Sequence, residues 1–63
     1  MYDDKDKYDA LKDGASALKY RAERLRALGE GDTEAMLMAD VFSDNAAILE
    51  DMASTYRQAV DAA

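Results

Sequence analysis

The chain contains no histidine and no cysteine, so carboxylates, hydroxyls and amines are its only candidate reactive groups. Ser16, Ser43 and Ser54 have no general base arranged beside them, and a nucleophilic hydroxyl needs one. Carboxylate pairs stand at Asp40/Asp44 and Glu50/Asp51. Their spacing puts them on the solvent side of a helix, where a carboxyl makes a poor acid catalyst. The expectation is a protein that is not an enzyme.

Metal chemistry is the next candidate. Asp3, Asp4, Asp6 and Asp9 crowd the N-terminal end. A calcium loop needs oxygen ligands at alternating positions, a glycine at the sixth and a distal bidentate glutamate. Counted from Asp4, Tyr8 takes a ligand position and Asp9 stands where the glycine belongs. The pattern therefore reads as negative charge favouring a helix N-terminus. Without cysteine or histidine there is no ordinary zinc site, and neither a metal nor a cofactor is expected.

What the carboxylates do show is an uneven distribution. Residues 1–28 hold seven Lys/Arg and six acids, while residues 29–63 hold eight acids against Arg57 alone, a net of -7 within a total of -6. A helical projection aligns Asp40, Asp44 and Asp51, with Glu50 and Asp61 flanking them. Asp40 and Asp44 lie about 6 Å apart, one helical turn. Such a ridge resembles a sparse row of phosphates, although duplex DNA carries about one charge per 1.7 Å of axis. The plainer reading is a solvated face, but solvated faces usually mix both signs, as the first half of the chain does. The net charge disfavours direct binding to nucleic acid or to an anionic membrane; basic protein surfaces are the natural partners.

These residues must be positioned by helices. Proline is absent, good helix formers dominate, and nothing alternates with period two. Tyr8, Leu11, Ala15, Leu18, Ala22 and Leu25 follow a 3-4 spacing that predicts a helix over about 4–28, continuous through Gly14; the alternative is a frayed N-terminal arm with the stable helix starting near Asp13 or Ser16. Gly29, Glu30 and Gly31 end it, with Gly29 expected in the left-handed conformation of a helix terminus. Asp32 offers an N-cap, and a second helix is expected over about 33–61, continuous through Ser43. Its stripe is read as Ala35, Met38, Phe42, Asn45, Leu49, Met52, Tyr56 and Ala59, widened by Leu37, Val41, Ile48 and Val60. The fold expected is all-α: one domain, 1–63, an antiparallel hairpin of two long amphipathic helices with a turn at 29–32.

The two stripes differ in width, so a lone hairpin leaves apolar surface wet. Two hairpins packed as a four-helix bundle would cover it; a foreign protein is the other answer. Met38, Val41, Phe42, Asn45, Ile48, Leu49, Met52 and Tyr56 are the candidate seam, for core or dimer, with Asn45 as a register-setting polar group. Tyr20 projects away from the first stripe among Lys19, Arg21 and Arg24, a hot-spot composition. Asp3, Asp4 and Asp6 stand where a signal peptide would be basic, and no stretch reaches the ~18 apolar residues of a membrane span. A cytoplasmic location is expected.

Short length, net charge and the ridge of Asp40, Asp44 and Asp51 make the chain similar in style to small acidic phage-encoded inhibitors of host systems, including anti-CRISPR proteins. The resemblance includes no motif and assigns no residue. It implies an inhibitor working in host cytoplasm by occupying a nucleic-acid-binding surface or an assembly interface; the charge distribution adds the expectation that Asp40, Asp44, Glu50, Asp51 and Asp61 present the acidic helix to a basic, nucleic-acid-binding surface of a larger protein. The alternative expectation is a homo-oligomeric structural or regulatory protein acting through its apolar face. A regulator binding a transcription factor through that face is a third.

Overall fold

Asp3 opens the first helix. Its carboxylate accepts from the backbone N–H of Asp6 at 2.8 Å, and Asp6 Oδ2 accepts from the N–H of Asp3 at 3.3 Å. This reciprocal capping box accounts for part of the N-terminal acid cluster without a metal. In the computed structural model, which describes residues 3–61, α1 then runs unbroken over Asp4–Leu28 and α2 over Thr33–Ser54. Asp32 caps α2, its Oδ1 accepting from Glu34 N–H at 3.0 Å and Ala35 N–H at 3.2 Å. The two helices pack side by side as an antiparallel hairpin, and no strand occurs among the described residues.

The turn corrects the expectation for its glycines. Gly29 has φ -101°, an ordinary value; its need for hydrogen is steric, since an added Cβ would fall within 2.4 Å of Ala35 Cβ and 2.7 Å of the Leu25 carbonyl oxygen. The left-handed residue is Gly31, at φ 85°, where a side chain would be strained.

α1 presents the expected stripe. Ala15 and Ala22 are buried, and Tyr8, Leu11, Leu18 and Leu25 are half-buried. In α2 the seam turns by about one residue from the expected one. Ala39, Ala46 and Ala53 face α1 and are fully buried, with half-buried Ala35, Phe42, Leu49 and Tyr56 between them. Met38, Asn45 and Met52 lie outside the helix–helix seam and are exposed. The physical reason is approach distance: small side chains on both helices let the axes draw together, and a methionine in the same place would hold them apart. Gly14 belongs to this close packing, standing against Leu49.

The C-terminal segment also departs from the expected single rod. Thr55 and Tyr56 N–H groups reach back three residues, to Met52 O at 3.2 Å and Ala53 O at 2.9 Å, a tightened turn of 3₁₀ type. Ser54 Oγ donates to the Asp51 carbonyl at 2.6 Å, the local bonding by which serine competes with helix. A short α3, Arg57–Asp61, follows. The side chains of Ala59 and Val60, expected to prolong the stripe, lie outside the described ones.

Candidate interaction face

The five fully buried residues are all alanines, and no large side chain is fully buried among the described residues. Burial of Leu, Phe or Met contributes about 1.5–3 kcal/mol each when complete, so this hairpin leaves much of its apolar surface unused. That surface is concentrated. One broad side of the hairpin, its front, presents half-buried Leu11, Leu18, Leu25, Phe42, Leu49 and Tyr56 along the groove between the helices. Met38, Val41, Ile48 and Met52 extend it across α2, each at least half exposed, with Leu37 and Leu28 at its edges, 61% and 77% exposed. Shallow hollows mark the two ends of the groove, one lined by Arg21, Leu25, Leu28 and Phe42, the other by Lys7, Leu11, Met52 and Tyr56.

The opposite side of the hairpin is polar and carries two ion pairs between the helices. Arg26 Nη2 donates to Asp40 Oδ1 at 3.2 Å and to Ser43 Oγ at 3.0 Å. Lys19 pairs with Glu50. Its hydrogen bond, with the nearby charge of Lys12 adding to its own, holds the Glu50 carboxyl below the ordinary carboxylate range. Further along, Arg57 pairs with Asp61 at 3.6 Å. Within α1, Lys5 bonds Asp9 at 3.1 Å, which raises the Lys5 ammonium above its usual pKa.

The structure thus divides the five acids of the expected ridge. Asp40, Glu50 and Asp61 each have a cation from the same chain. Asp44 and Asp51 make no ion pair among the described residues, and both stand at the outer edge of α2 beside the exposed apolar strip. Of the expected seam, Phe42, Leu49 and Tyr56 pack in the groove, while Met38, Val41, Asn45, Ile48 and Met52 face outward. Tyr20 is 58% exposed; its hydroxyl accepts from Arg24 Nη1 at 3.3 Å and its ring lies 5.8 Å from that guanidinium. It sits on the outer side of α1, away from the front.

Ala39, Ala46 and Ala53 are the positions that hydrophobic ranking passed over. Their signal was in the sequence, an alanine every seven residues in α2 facing Ala15 and Ala22, also seven apart, in α1. No group of three or more potential metal ligands occurs among the described residues, and no described helix is long and apolar enough to cross a membrane. Comparison of the chain with protein-family models, with curated proteins and with solved structures finds no match in any of the three.

Proposed function

We propose that this chain is a helical protein-binding module that works through the apolar front of its hairpin. One observation supports the reading above the others: among the described residues only alanines are fully buried, while Leu37, Met38, Val41, Ile48 and Met52 stand open on neighbouring positions of one helix. A contiguous apolar patch of this kind is a mark of an interface. The groups are apolar and suited to adhesion. A photoreactive side chain placed at Ile48 should yield protein adducts in living cells, and the same group at Glu23, on the polar side, should yield none. Absence of adducts at position 48 would overturn the reading.

A second reading is the inhibitor that offers its acidic ridge to a basic, nucleic-acid-binding surface. Asp44 and Asp51, without an ion-pair partner among the described residues, favour it; the pairing of Asp40, Glu50 and Asp61 with Arg26, Lys19 and Arg57 weighs against it. Exposed pairs are weak, yet they cancel much of the local field on which such mimicry depends. Changing Asp44 and Asp51 together to lysine would abolish binding under this reading and leave a purely apolar contact in place.

A further inference from the structure

We propose that the occupant of the front face is a second copy of this chain, with α1 of one copy lying antiparallel across α2 of the other. The proposal rests on the reading of the front as a docking surface and adds the partner.

Size is the first argument. The hairpin extends 46 × 19 × 14 Å. Its broad side is thus comparable to the ~800 Å² that each partner gives to a stable interface. A chain of 63 residues falls below the length at which one core usually suffices, and association is a common support. With disulfides excluded by composition, a second copy is the one source of apolar cover that is always at hand.

Charge is the second argument, and it selects the arrangement. On α1 the front positions are Lys7, Ala10, Gly14, Ala17, Arg21 and Leu28; Asp4 reaches Lys7 at 3.7 Å, and at the outer edge Arg24 shares its direction with Asp6, about five helical turns earlier. The front and outer edge of α2 carry Asp44 and Asp51 and no cation. Arg21 is therefore the front charge of α1 that no described acid of its own chain pairs, and Asp44 and Asp51 are the unpaired acids flanking the front of α2. A two-fold axis running along the helices lays basic on acidic, whereas an axis across them lays like on like. Opposite charges across the flanks of packed helices set partner orientation in this way.

The register agrees. Gly14 meets Leu49 within one hairpin, so seven residues further on Arg21 is level with Phe42, and the two line the same hollow. An axis along the helices preserves that height. Arg21 of the second copy then arrives beside Asp44 and the carboxamide of Asn45, and neither Arg21 nor Asp44 has an ion-pair partner within its own chain among the described residues. The small residues Ala10, Gly14 and Ala17 come opposite Met52 and Ile48, and Leu28 opposite Leu37. Large thus meets small along the middle of the interface, and the two most exposed leucines meet at its end.

The test is the mass of the full chain in solution over a concentration series, by light scattering and sedimentation, with helicity followed in parallel. Twice 6.9 kDa is expected. Asp44→Arg should weaken the dimer about tenfold, roughly 1.4 kcal/mol, and Arg21→Asp in the same chain should restore it. A dimer indifferent to both changes would overturn the proposed arrangement. A monomer of intact helicity would overturn the second copy, and an apolar fluorescent dye then separates the two levels. If the dye binds and Ile48→Asp abolishes its binding, the front remains an open docking surface for another protein. If it does not bind, the docking reading fails as well.

Discussion

At the scale of single residues, the most consequential side chain is the alanine methyl. Ala46 is fully buried at the middle of the seam, so Ala46→Leu must force the helices apart. Overpacking of this kind costs about 1–3 kcal/mol, visible as a lower midpoint in urea. Gly14→Ala tests the opposite balance. The new methyl would meet only the tip of Leu49 at 3.3 Å, a half-buried side chain free to give way. The helix gains up to ~1 kcal/mol from losing glycine, so a net rise in melting temperature is expected. Glu50 supplies a pH test. Its folded-state carboxyl is held below the ordinary range by Lys19, so the stabilisation is present above the unfolded pKa and is lost as pH falls through the folded one. Denaturant titrations of the wild type and Glu50→Gln should differ slightly at neutral pH, and the gap should close below about pH 4, the ordinary carboxylate range.

Elements differ in how much of them was legible beforehand. α1 could be read in full because its apolar spacing, its acidic start and its closing glycine all agree. The start of α2 was equally legible from Asp32, and Asp32→Ala should cost about 1 kcal/mol through loss of its two backbone contacts, measurable in the same urea series. Its facing was not legible by apolarity alone. Ranking by size puts Met38 and Met52 inward, but the packing partner across the seam is small, and only methyl-sized groups permit the approach seen here. The break after Ser54 escaped because Ser-Thr can continue a helix or end one, and the deciding contact, Ser54 Oγ to the Asp51 carbonyl, uses a group that any helix offers. Gly29 and Gly31 were visible as a turn, yet which of them needs a left-handed backbone and which needs only the absence of a methyl depends on where Ala35 arrives.

For the whole molecule, the division into a polar side and an apolar side was half legible. The spacing of Asp40, Asp44 and Asp51 suggested a single ridge, but sequence cannot show that Arg26 and Lys19, in the neighbouring helix, reach over to Asp40 and Glu50. Only the packed hairpin brings together charges 14 residues apart in the first case. The candidate face follows from the same packing, since the turn of α2 that buries three alanines is what leaves Ile48 and Met52 outside. Val41→Asp with Ile48→Asp should accordingly leave helicity nearly intact when the hairpin is isolated by dilution, because neither side chain supports the seam, while removing every association through the front. Loss of the hairpin in this variant but not in the wild type at the same dilution, seen by circular dichroism, would show that the strip is interior and not interface.

The alanine seam has one more consequence. Its pattern repeats every seven residues, about 10.5 Å of helix, and a ladder of equal rungs fits itself again when slid by one step. The alanines by themselves do not prevent such slippage, though a slide of one step would part Gly14 from Leu49. What indexes the two rods is the short tether, with Gly29 pressed against Ala35, together with the lateral pins from Arg26 to Asp40 and from Lys19 to Glu50. A hairpin given a long slack tether and stripped of those pins would have two settings instead of one, like a ruler that has lost its zero.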